Sequence, residues 1–302
     1  MINEHHIQGI FIPVITPFTR DNQLDLDSYR SYITHLASYD IQGLVINGTT
    51  GECPTTSWDE VKQMIQITQD IVNRMNLTIP IVVGTGTNDT YSTVRRTELA
   101  AGLGADAALV VTPYYNRPTQ EGILEHFRMV SQTGLPVIAY EIPARTGSRI
   151  HIDTMRRIMD LDGVIGLKDS SGSLDLLSAL VQSDSKPVLC GEDVLFHDML
   201  CQGAAGGMMA SANIQTQLFV DIYQHYAAGN IQESREDFNL LKPLIQHLFE
   251  EPAPAALKWL LSRQEIIATD QLRLPLMPLS AKVRERLLET WPLNEKHILL
   301  SH

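Results

Sequence analysis

Apolar residues in this chain gather in short runs rather than alternating with polar ones. The runs are GIFIPVIT (9–16), GLVIN (43–47), IPIVVG (79–84), DAALVVT (106–112), PVIAYE (136–141), VIGLK (164–168), PVLCG (187–191) and GGMMASA (206–212). Runs this short, without polar alternation, predict parallel strands covered on both faces. The segments between them have helical period. Over 57–75, Val61, Met64, Ile65, Thr68, Ile71, Val72 and Met75 fall on one stripe. Ser57 with Glu60 three residues on predicts a capping box at its start.

The count is eight strands, each with room for a helix after it. Eight such units predict an α/β protein, a closed (β/α)8 TIM barrel rather than an open sheet. Beyond residue 230 the chain reads as helices: IQESREDFNLLKPLIQHLF, then PAPAALKWLLSRQ, then SAKVRERLLETW. Pro252 and Pro254 separate the first two, and Pro275 and Pro278 precede the third. No stretch rich in Gly, Ser or charge marks a separately folding domain. The expected organisation is a barrel over 1–230 with a C-terminal helical extension over 231–302, packed on it as one unit.

Composition supports a large core, with 44% hydrophobic and 19% charged residues in a chain of 302. Acids outnumber bases 35 to 23, a formal charge of −12, which argues against nucleic acid or an anionic membrane as partner. An anionic small substrate would then need a local positive site. Cys53, Cys190 and Cys201 form no C-x-x-C pair, which points to a reducing compartment. The N-terminal residues lack the basic start and cleavage site of a signal peptide. No run reaches the roughly 18 apolar residues of a membrane span. The expected setting is the cytoplasm.

A barrel of this kind forms its active site at the C-terminal ends of the strands, and the unusual residues lie there. After the second strand comes GTTGE (48–52), after the fourth PYYNRP (113–118), and after the fifth YEIPARTG (140–147). The sixth ends on Lys168, and the seventh runs into GED (191–193).

Lys168 is one of seven lysines and the one that ends a predicted core strand. A buried ammonium is costly unless paired or neutral, and a neutral amine attacks carbonyls to form a Schiff base. Two readings stand from the residues alone: that nucleophile, or a structural lysine paired with Asp169 or another acid. Lys258, in AALKWLL, also has apolar neighbours, and its helix is expected to let it snorkel to water. Thr49 and Thr50 sit in a turn that can present backbone amides and hydroxyls to an anion, or serve as an ordinary βα connection. Tyr114, Tyr115 and Tyr140 offer phenols for proton relay or for packing. Arg145 can grip a carboxylate with its planar fork or form a surface ion pair. No metal-ligand spacing, G-x-G-x-x-G, P-loop lysine or G-x-S-x-G elbow is present.

Taken together, the GTTGE, PYYNRP, YEIPARTG and GLKD blocks, in this order and spacing, resemble the dihydrodipicolinate synthase/N-acetylneuraminate lyase family of class I aldolases. The likeness runs from PVITPF to TDQLRLPLMPLS, nearly the whole chain. The second threonine of GTTGE and the arginine after I-P-A resemble the synthase branch. Neuraminate lyases more often carry serine at the first of the threonine positions and leucine at the arginine position. Glu141 is a departure, standing where the synthases usually have asparagine. If Tyr140 points into the site, strand alternation turns Glu141 away from it.

The resemblance implies a Schiff base between Lys168 and pyruvate, whose carboxylate rests on the Thr49–Thr50 turn. It implies an aldehyde co-substrate, aspartate semialdehyde, held through its carboxylate by Arg145. Tyr140, Thr49 and Tyr115 would relay protons, and the main-chain carbonyl near Met208 would face the imine. No cofactor or metal is implied. The family tyrosine matching Tyr115 reaches in from a neighbouring subunit, so a homotetramer built as a dimer of dimers is expected. Two alternatives use the same lysine or none of its chemistry: a pyruvate-dependent aldolase for a sugar acid or 4-hydroxy-2-oxoglutarate, and a non-catalytic pyruvate-binding or scaffold barrel.

Overall fold

The computed structural model of the chain describes residues 2–290. The eight predicted strands are present: β1 Gly9–Pro13, β2 Gly43–Ile46, β3 Ile81–Gly84, β4 Ala107–Val111, β5 Val137–Glu141, β6 Val164–Asp169, β7 Val188–Cys190 and β8 Gly206–Met208. They pair in chain order, all parallel, and β8 closes onto β1. A helix follows each strand: Leu26–Leu36, Trp58–Arg74, Thr90–Gly102, Gln120–Ser131, Ile152–Met159, Asp175–Val181, Phe196–Cys201 and Thr216–Ala227.

Alternation along each strand divides the core in two. Phe11, Val45, Val82, Leu109, Ile138, Tyr140, Leu189 and Met208 fill the barrel interior. Their chain neighbours, such as Ile10, Leu44, Val83, Val110 and Ala139, pack outward under the helices, as does Leu167 on β6. This is why the runs lack polar alternation: both faces are dry.

Local sequence starts the helices. Asp25, Ser57, Asp89 and Thr119 each accept a backbone N–H from the first turn of the helix that follows. Ser57 and Glu60 form the predicted capping box. The stripe over 57–75 is buried from Val61 to Val72, while Met75 at the C-cap is exposed.

After residue 230 come Ile231–Leu248, which contains Pro243, then Ala253–Arg263 and Ala281–Thr290. Ile231–Leu248 packs on Thr216–Ala227. Trp291 and the rest of the expected extension to residue 302 lie outside the described residues. Lys258 corrects one expectation. It does not snorkel, because every residue from Ala253 to Leu261 is buried and the helix has no water face there. Among the described residues, no helix is long and apolar enough to cross a membrane.

Candidate active site

A cavity of about 350 Å³ opens where the strands end, reached from the loops after β2, β5, β7 and β8. Lys168 occupies its floor. Leu167 packs outward, which turns Lys168 inward beside its register partners Tyr140 on β5 and Leu189 on β7. Lys168 is 6% exposed, and its Nζ lies 4.3 Å from the Tyr140 ring centroid. Gly191 makes room for it: a Cβ there would sit 2.8 Å from Lys168 Cε and 2.3 Å from Ser170 Oγ.

Asp169 does not pair with Lys168. It faces the other side of the strand, where its Oδ1 accepts from Ser171 N at 2.8 Å. Burial raises its carboxyl above the usual range. Among the described residues Lys168 has no ion-pair partner, so the reading of a paired structural lysine is set aside.

The Gly48–Gly51 turn brings Thr49 and Thr50 to the cavity wall. Gly51 N donates to Gly48 O and Glu52 N to Thr49 O, both at 3.1 Å. Thr16 Oγ1 donates to Gly51 O at 2.7 Å from beneath. Arg145 stands at the mouth, exposed, on the short helical turn Pro143–Thr146, which Gly147 closes at φ +70°.

Glu141 faces away from the cavity, as alternation requires, and is fully buried. Its Oε1 accepts from Ile150 N at 2.9 Å and its Oε2 from Thr112 Oγ1 at 3.0 Å. It therefore fastens the base of the loop that carries Arg145. Burial pushes its pKa up to about 7, and the neighbouring Asp169 pushes the same way.

Met208 ends β8 against the cavity. Several lining residues carried no assigned role in the sequence reading. Asp193 accepts from Ala210 N (3.1 Å), Ser211 N (3.0 Å) and Ser211 Oγ (3.0 Å), fixing the chain just after Met208. Complete burial raises its pKa to about 6 against those bonds. Burial likewise raises Glu192, while Lys168 and Arg145 pull it down. Their signal was the acidic pair directly after an apolar strand end. Phe249, Ala253 and Pro254 complete the wall from after residue 230, and nothing in their local sequence marks them.

Tyr115 stands apart. It is 89% exposed, at φ +71°, on the loop after β4, and does not line the cavity of its own chain. A non-glycine residue held at positive φ is uncommon and is kept where the surroundings demand it. Asn116 Nδ2 holds the loop by donating to Asn88 O at 2.8 Å.

Known proteins share this chain's sequence and its barrel over nearly the whole length. A 4-hydroxy-tetrahydrodipicolinate synthase of Clostridium acetobutylicum is 38% identical over 93% of this chain and 98% of its own length. The crystal structure of dihydrodipicolinate synthase from Thermotoga maritima superposes with a TM-score of 0.90 at 35% identity, covering 95% of this chain and 98% of that one. The dihydrodipicolinate synthase of Acinetobacter baumannii, solved in complex with pyruvate, gives a TM-score of 0.89 at 34% identity over 94% of this chain and 97% of its own. Residues 6–291 match the model of the dihydrodipicolinate synthetase family, and the chain belongs to that family.

Proposed function

We propose that this chain condenses pyruvate with L-aspartate 4-semialdehyde, giving 4-hydroxy-tetrahydrodipicolinate for lysine and diaminopimelate synthesis. The observation that carries the reading is Lys168: an amine on the floor of a cavity, over the Tyr140 ring, with no acid paired to it among the described residues. Family membership and the pyruvate complex of a relative support the first substrate.

Lys168 Nζ attacks the ketone carbon of pyruvate and water leaves, forming the imine. The pyruvate carboxylate rests on the Thr49–Thr50 turn. Loss of a methyl proton gives an enamine, with the imine nitrogen as electron store. The enamine carbon attacks the aldehyde carbon of the second substrate, whose carboxylate Arg145 grips in two prongs. The amine of that substrate then adds to the imine carbon, closing the ring and expelling Lys168. Tyr140, Thr49 and Tyr115 pass the protons, and the Met208 carbonyl faces the imine. The chain supplies nucleophile, electron store and relay without a cofactor or metal.

Tyr115 serves the cavity of a second copy rather than its own, which fits its exposure and its fixed loop. The smallest complete site is then a homodimer, and the working form a homotetramer, a dimer of dimers. Incubation of pyruvate with a panel of aldehydes, followed by product identification, tests the reading. Aspartate semialdehyde should yield the cyclic product. Turnover confined to a sugar-acid aldehyde, or cleavage of 4-hydroxy-2-oxoglutarate, would redirect it, and no product with any aldehyde would end it.

A further inference from the structure

Two regions far apart in sequence meet beneath the cavity wall. Glu52, the last residue of GTTGE, is held at φ +57°, and its carboxylate is buried. That carboxylate forms an ion pair with Lys258 of the helix Ala253–Arg263 and also accepts from Arg273 N at 3.1 Å. Lys258 Nζ donates to Gln271 O at 2.8 Å as well. Both cations also lie over the Phe18 ring, with Lys258 Nζ 4.2 Å and Arg273 Cζ 4.0 Å from its centroid. The helix that carries Lys258 begins with Ala253 and Pro254 in the cavity wall. One helix therefore covers the cavity and grips the turn that bears Thr49 and Thr50.

Hydrocarbon of the same shape often packs as well as a buried ion pair or better, so stability alone gives little reason for charge here. Position gives one. Glu52 N bonds to Thr49 O, so a shift of the Glu52 side chain is a shift of the turn. We propose that Lys258 and Glu52 are positioning residues for pyruvate, and that through them the C-terminal helices hold the Thr49–Thr50 turn in register with Lys168. This rests on the pyruvate reading above.

The pair also carries a pH signature. Burial lowers the Lys258 pKa to about 8, opposed by Glu52 and Asp270 and reinforced by Arg273, the charged groups that face it. Its ammonium is lost as pH rises through that value, and the turn loses its anchor. The expected consequence is weaker pyruvate capture above about pH 8, with use of the aldehyde unaffected.

The test is the double variant Glu52→Gln with Lys258→Met, which removes both charges, whereas either single change would strand one. Borohydride trapping over a pyruvate titration reads imine formation directly. The half-saturating pyruvate should rise about tenfold at neutral pH, and the gap to the natural protein should narrow above pH 8. The KM for the aldehyde should stay within about twofold. An unchanged half-saturation in the folded variant, or an equal rise for both substrates, overturns the proposal. If the variant does not fold, the natural protein decides. Half-saturating pyruvate that climbs between about pH 7 and pH 9 against a flat aldehyde KM supports the proposal, and a flat pyruvate profile overturns it. No trapped adduct on the natural protein at any pyruvate concentration would overturn the pyruvate reading and this inference with it.

Discussion

Among the described residues two lysines are buried, Lys168 on β6 and Lys258 on the helix Ala253–Arg263. Lys258 is the better shielded, and its ammonium is met by the Glu52 carboxylate and the Gln271 carbonyl. Lys168 keeps a sliver of exposure into a cavity, over an aromatic face, with Glu192 and Asp193 in the same cavity and no ion pair formed among the described residues. Burial alone therefore does not mark a nucleophile. What separates the two is partnership: one amine has its donors spent, and the other is left facing a space a substrate can enter.

The comparison predicts opposite phenotypes. Lys168→Ala should lower turnover by at least about a thousandfold and abolish the borohydride adduct, because no other group supplies the amine. Its melting temperature should hold or rise, since an amine without an ion-pair partner leaves the interior. Lys258→Met should do the reverse: it strands Glu52 in the interior at a cost of about 3–5 kcal/mol, read by denaturant melts, while Lys168 still forms the adduct at saturating pyruvate. If both variants lost stability equally, the contrast would collapse.

Tyr115→Phe should slow turnover by about a hundredfold and leave the melt unchanged, since it removes one hydroxyl and keeps the ring. Mixed with Lys168→Ala, it should regain activity once subunits exchange. No recovery, in oligomers shown by mass spectrometry to be mixed, would confine each site to one chain. Arg145→Lys is a smaller perturbation. It keeps the charge but loses the fork, so the KM for the aldehyde should rise about tenfold while trapping by pyruvate stays within about twofold.

The smallest effect concerns a buried acid in place of a buried base. Glu141 has its pKa raised from 4.5 to about 7, so the folded chain holds that proton more tightly than the unfolded one. Its contribution to stability is full below pH 4.5 and is lost as pH rises through about 7. Glu141→Gln keeps the size and lacks the ionisation. The melting temperature of the natural protein should fall relative to this variant across that window and then run parallel to it. A constant offset at every pH would show that folding leaves the Glu141 pKa where it lies in the unfolded chain.

The strands were legible because a barrel strand is dry on both faces and so appears as an unbroken apolar run. Lys168 was legible for the same reason, as a charge at the end of one. Lys258 was misread, although its neighbourhood carried the signal: AALKWLL is apolar all round, and a helix of that kind is enclosed rather than amphipathic. The role of Glu52 was out of reach, because its partner lies more than 200 residues on and no local pattern joins them. Phe249 and Pro254 were missed on the same ground, since tertiary packing alone brings them to the cavity. Glu141 was placed correctly by strand alternation, but its hold on Ile150 needed the course of the Arg145 loop.

The most direct measurement is peptide mapping after borohydride reduction in the presence of pyruvate. One pyruvate-derived adduct should form per chain, on Lys168, and Lys258 should be unmodified. An adduct on Lys258, or none on either lysine, would contradict the account.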